Sequence, residues 1–261
     1  MTIRVTVWGE NVHEHKSDVV AQVYPDLMHG TIAAALNRED GIKATSVTLQ
    51  DPDHGLTAEK LAQTDVLTWW GHAAHGEVRD DIVERVCEAV WGGMGIVFLH
   101  SAHFSKPFKR LMGTPCNLQW REAGERERIW VTSRNHPIAA GLPDYFELEN
   151  EEMYGEPFGI PDPLETVFIG WFQGGEVFRS GVTYKRGAGS VFYFQPGHET
   201  YPTYHDPNIQ RVIANGVRWA YNPAPRLANP TDAPNTPVDK APEKIEERGP
   251  KLHQAGQAGL R

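Results

Sequence analysis

Short apolar runs alternate with segments whose apolar residues recur every three or four positions, the pattern of strands and helices taking turns. Ile3 to Trp8 predicts a first strand, Ile42 to Leu49 a second and Val66 to Trp70 a third. Ile96-Val97-Phe98-Leu99 predicts a fourth, which turns abruptly polar at His100-Ser101-Ala102-His103. Uninterrupted apolar runs of this length are buried on both faces, as parallel strands of α/β sheets are. Between them, helices are expected over Asp26 to Asn37, Val78 to Trp91 and Phe104 to Met112. Residues 9–16 read as a loop.

The segment from Thr114 to Glu165 is less regular, with a strand expected only at Arg128 to Thr132 and with residues 149–158, ENEEMYGEPF, read as a solvated loop or a lid. Thr166 to Phe172, Val177 to Lys185 and Ser190 to Gln195 then predict an antiparallel meander attached to the sheet. Asp206 is a good N-cap for a last helix, with Pro207 at its first position. Beyond Tyr221 the pattern stops: residues 222–261 hold seven of the 19 prolines and no aromatic residue. The expected organisation is an α/β domain over 1–222 and a Pro-rich tail over 223–261. That tail is either loose or an arm laid on the body or on a neighbouring subunit of a homo-oligomer.

Composition narrows the partners. Twenty-five basic against 34 acidic residues give a net charge of −9, which disfavours nucleic acid and acidic membrane surfaces. The two cysteines suggest a reducing compartment, and Cys87 falls on the buried stripe of its helix, as a structural thiol would. The N-terminus enters a strand pattern at once, so no signal peptide is expected; with no long apolar run, a cytoplasmic location follows.

Candidate chemistry concentrates in four segments that each follow a predicted strand: 10–15, 71–76, 100–104 and 197–205. Together they hold eight of the 12 histidines, namely His13, His15, His72, His75, His100, His103, His198 and His205. If the strands are parallel neighbours, these imidazoles share the carboxyl edge of the sheet, where open α/β sheets bind ligands. Imidazole is the commonest metal ligand and titrates near neutrality. A catalytic metal site needs about three protein ligands and one open position. A divalent metal such as zinc on His100 and His198, with His13 or His103, is therefore expected, with Glu199 as general base and His72 or His75 as proton donor. Glu10, Glu14 and Glu77 are available to orient ligating rings. Trp8, Trp70, Phe104, Tyr201 and Tyr204 crowd the same edge, which suits a sugar, with its apolar C–H faces and rim of hydroxyls. No Walker loop or GxGxxG is present, and no GxSxG surrounds Ser101.

Several runs resemble the ThuA-like trehalose-utilisation family: WWGHAAH (69–75), GMGIVFLHSAHFSKPFKRLMGTPC (93–116), WRE (120–122), EEMYGEPF (151–158), GGEVFRSG (174–181) and FQPGHETYPTY (194–204). The resemblance covers about residues 3–222. It implies the flavodoxin-like fold of class I glutamine amidotransferases, a mostly parallel sheet with helices on both faces, in a catabolic protein for trehalose or related disaccharides. In that superfamily a strand ends in an elbow bearing a nucleophilic cysteine; here His100 stands at that position, so thiol chemistry is not expected. The acidic motif adds Glu152 or Glu156 as a catalytic carboxylate and Tyr154 as a substrate contact. The expected activity is isomerisation or hydrolysis of a sugar or keto-sugar, metal-assisted or histidine-driven; the alternative is a non-enzymatic sugar-binding or regulatory protein.

Overall fold

Side chains on a strand alternate between its two faces, and the fourth strand uses both: Val97 and Leu99 join one apolar cluster, Ile96 and Phe98 the other. In the computed structural model, which describes residues 2–227 and also 243, 246 and 248–250, this strand lies near the middle of a nine-stranded sheet. The strands are β1 (Ile3–Gly9), β2 (Ile42–Thr48), β3 (Val66–Trp70), β4 (Gly95–Leu99), β5 (Gln119–Val131), β6 (Tyr145–Gly155), β7 (Glu165–Phe172), β8 (Val177–Arg186) and β9 (Gly189–Phe194). The helices are α1 (His13–Lys16), α2 (Asp18–Val23), α3 (Met28–Asn37), α4 (Ala58–Ala62), α5 (Asp80–Trp91), α6 (Lys106–Met112) and α7 (Pro207–Ala220).

The sheet runs β2-β1-β3-β4-β9-β8-β7-β5-β6. Its first five strands are all parallel, in the flavodoxin-like order whose ligand crevice opens between β1 and β3. From β9 onward each pairing is antiparallel. The last of the parallel strands is thus also the first of the meander. Helices α3 and α7 cover one face, through Ile32, Leu36, Ile209 and Val212. Helices α5 and α6 cover the other, through Ile82, Val86, Phe108 and Leu111. Cys87 is buried there, and burial pushes its thiol up to about 12.

Three stretches differ from expectation. The segment read as a loop over 9–16 includes α1, one helical turn. The expected strand at Arg128 to Thr132 is part of a much longer one, β5, kept together by cross-strand ion pairs such as Arg128 with Glu147. The supposed acidic lid over 149–158 is mostly the end of β6, with Glu151, Glu152, Met153 and Tyr154 all buried. The expected tail and arm fall largely outside the described residues. Its beginning follows the body, since Leu227 N–H donates to the Gly92 carbonyl at 3.0 Å. The chain divides into units 1–231 and 232–261. Among the described residues no helix is long and apolar enough to cross a membrane.

Candidate active site

Register explains why distant histidines meet. Gly9 lies opposite Trp70, Trp70 opposite Leu99 and Leu99 opposite Phe194, so β1, β3, β4 and β9 end level with one another. The residues that follow emerge side by side. Four imidazoles form a connected cluster: ring centroids lie 5.1 Å apart for His13 and His72, 5.9 Å for His72 and His100, 6.0 Å for His72 and His198, and 5.5 Å for His100 and His198. His75 and His103 line an adjoining cavity of about 400 Å³ with His72, Glu152 and Tyr154. His15 and His205 are exposed, and His205 Nε2 is taken up by the Val23 carbonyl at 3.0 Å.

The elbow is real in the backbone. His100 has φ +53, a left-handed conformation rare for a residue with a side chain. It is held from two sides: Nδ1 lies 3.1 Å from the Gln195 carbonyl, and the Tyr193 hydroxyl donates to the His100 carbonyl at 2.9 Å. Nε2 is left 3.2 Å from Glu152 Oε2, the ring is fully buried, and Tyr154 stacks on it at 5.3 Å. These two atoms are poorly aligned for a hydrogen bond, so charge attraction joins them. Burial opposes an imidazolium on His100, but Glu152 outweighs it and raises the pKa; burial likewise pushes Glu152 up, and His100 more than reverses that. Ser101 offers no nucleophile, because its hydroxyl donates to the Gly71 carbonyl at 2.6 Å.

Beside this pair, His13, His72 and Glu199 each present a ligand-type atom, all within 4.8 Å of one another. Glu199 Oε1 is 3.1 Å from His72 Nδ1 and 3.3 Å from His13 Nδ1. Glu199 Oε2 and His13 Nε2 are buried without a hydrogen-bond partner. Burial would raise the Glu199 carboxyl; the surrounding imidazoles, His72 first, instead hold it well below its usual range. Two histidines and an ionised carboxylate are a donor set suited to a divalent transition metal.

That set differs from the expected one of His100 and His198 with His13 or His103. His100 is drawn away by the Gln195 carbonyl and Glu152. His103 gives Nδ1 to the Cys116 carbonyl at 3.0 Å and packs among Tyr154, Phe158 and Tyr193. His198 Nδ1 is 2.8 Å from Thr200 Oγ1, leaving Nε2 3.9 Å from Glu199 Oε2. His72, expected as a proton donor, stands instead in the triad with Glu199.

The aromatic residues also divide. Phe104 and Tyr154 line the cavity, and Tyr201 stands 5.2 Å from His198. Trp8 and Tyr204, expected as ligand contacts, are buried beneath the site: Trp8 stacks on Trp69 at 3.9 Å, and the Tyr204 ring fills the space where a side chain at position 197 would stand. Trp70 is buried too, its Nε1–H donating to the Gly197 carbonyl at 3.1 Å. In their place the cavity takes Asn117, Trp120 and Glu122 from around the start of β5. Of these, Trp120 and Glu122 were signalled by the WRE run.

Two buried glutamates hold the loops. Glu10, directly after β1, grips residues 72–74. Glu151 accepts the backbone N–H of Gly197 at 2.9 Å and of His198 at 3.0 Å, and the Thr203 hydroxyl at 2.9 Å.

Comparison with known proteins agrees with this architecture. A ThuA-like protein from Parabacteroides merdae superposes with a TM-score of 0.62 at 15% identity, over 84% of this chain and 90% of that one. Another from Bacteroides uniformis gives 0.59 at 15% identity, over 84% and 91%. A cytoplasmic protein from Salmonella typhimurium gives 0.54 at 14% identity, over 73% and 86%. No curated protein matches in sequence. The family model for trehalose utilisation matches residues 4–220, and the chain therefore belongs to the ThuA family.

Proposed function

We propose that the protein is an enzyme of carbohydrate catabolism that isomerises or hydrolyses trehalose, a related disaccharide or a keto derivative of one. The observation that carries this reading is the join between cavity and chemistry: His72 and Glu152 line the cavity, while behind them stand the triad partners His13 and Glu199 and the imidazole of His100. His13, His72 and Glu199 would hold a divalent metal, whose contribution when bound is Lewis acidity toward a sugar oxygen. The His100–Glu152 pair, shielded from water, is placed to hold or deliver a proton at the cavity wall. Family membership in trehalose utilisation supports the substrate class, and a cytoplasmic location fits the two free cysteines and the cytoplasmic Salmonella neighbour.

The test is metal analysis of the purified protein, followed by incubation with trehalose and its keto derivatives with and without chelator. Bound metal together with chelator-sensitive turnover is the expected result. Saturable binding with no turnover would instead make the protein a non-enzymatic sugar binder. Full metal content in His72→Ala would remove that residue from the ligand set.

A further inference from the structure

Trp120 is 65% exposed, the most open large hydrophobic side chain among the described residues. It stands on a rim between two cavities. One is the 400 Å³ cavity described above; the other, of about 700 Å³, shares Trp120 and Glu122 with it. Pairing in β5 and β6 explains the division. Trp120 lies opposite Tyr154, whose side chain belongs to the first cavity. Gln119 lies opposite Gly155 and Arg121 opposite Met153, and these four line the second. The second cavity has none of the imidazoles that carry the chemistry.

We infer that the second cavity is a binding subsite for the non-reacting unit of an uncharged disaccharide, with Trp120 as the platform over which the two rings are joined. This rests on the carbohydrate reading above. An open indole offers a flat apolar surface to the C–H face of a pyranose, and amide and carboxylate groups on either side can take up its hydroxyls. The second lining supplies these in Gln119 and Glu122. Its charge selects against anionic sugars. Arg121 is the only Lys or Arg lining either cavity, and its guanidinium is bound by Glu125 at 2.5 and 2.9 Å and by Glu176 at 2.7 and 2.9 Å. Among the described residues neither lining has an unpaired Lys or Arg for a phosphate, while Glu122 would repel one.

Calorimetric titration of the full chain with trehalose, glucose and trehalose 6-phosphate tests this. Trehalose should bind at least tenfold tighter than glucose and tenfold tighter than its phosphate. Trp120→Ala should remove at least tenfold from trehalose affinity, and Trp120→Phe should restore part of the loss. Gly155→Leu is an independent probe, because a Cβ at this position meets only ordinary contacts, the nearest at 3.5 Å, so the added bulk enters the second cavity. It should abolish the preference for trehalose and leave glucose binding intact. Equal affinity for trehalose and glucose, or a preference that survives Gly155→Leu, overturns the subsite while leaving the first cavity as a monosaccharide site. Phosphate-tolerant binding overturns the selection against charge. Binding of none of the three sugars overturns both this subsite and the carbohydrate reading.

Discussion

Glu10 accepts the backbone N–H of His72 at 2.7 Å, and the same carboxylate takes those of Ala73 and Ala74 at 2.8 Å each. Three donors converge on one buried anion, so the loop after β3 is fixed by the residue after β1, across the crevice between them. Hydrogen bonds to a charged group contribute about 1.5–3 kcal/mol each, so this clamp is among the strongest local restraints in the site.

Glu10→Gln keeps the shape but removes the charge and leaves one oxygen where there were two. It should lower metal affinity about tenfold to a hundredfold, the range for lost support of a ligating group. Equilibrium dialysis at a single pH measures this, and unchanged affinity would show that His72 is oriented without Glu10.

Glu152→Gln removes the charge that favours protonated His100. Loss of a positioned acid or base typically lowers turnover about 10²–10⁴-fold, and turnover of whichever sugar proves to be substrate should fall by that much. Far-UV circular dichroism should not change, because Glu152 Oε2 has no hydrogen-bond partner to lose. The two readouts together separate chemistry from folding.

Burial pushes His103 down to about 3 and His75 down to about 4, from a usual value near 6.5. Both rings are neutral in the fold and take up protons more readily when unfolded. Their contribution is therefore fully present above about pH 6.5 and is lost as pH falls toward their folded values. For His103 alone it amounts to roughly 5 kcal/mol. Urea unfolding between pH 7 and 4 should show this decline, and His103→Gln should flatten it.

Glu127 behaves in the opposite sense. It is fully buried; burial, and then the charge of Glu151, raise its carboxyl well above the usual range, with the Ser180 hydroxyl at 3.0 Å as its hydrogen-bond partner. A raised folded value means that its contribution to stability is fully present below about pH 4.5 and is lost as pH rises through the raised folded value. Glu127→Gln should therefore be more stable than the wild type at pH 8, by thermal midpoint, and indistinguishable from it near pH 4.

The parallel half of the molecule was legible because each of its strands is a short apolar run ending in turn chemistry, and because such strands end level, so that the histidines had to gather. The antiparallel half was not. In β5 and β6 the polar residues satisfy one another across strands, as Arg128 does with Glu147, and no local period reports a partner 19 residues away. Glu151 looked solvated in ENEEMYG because the backbone groups it binds, at Gly197 and His198, are 46 and 47 residues further along. Helices α1 and α2 are too short for a period to register. The grouping of His13 and His72 with Glu199 was not legible for a related reason: the number of histidines was visible, but which side chains stand within reach of one another was not.

One sheet thus carries two kinds of segment that meet at the cavity. The histidines come from turns after β1, β3, β4 and β9, whereas Asn117, Trp120 and Glu122 come from the stretch made of the residues just before β5 and the first residues of that strand. Exchanging that stretch would leave every imidazole in place. Descendants of this architecture are free to change what they accept without rebuilding what they do to it.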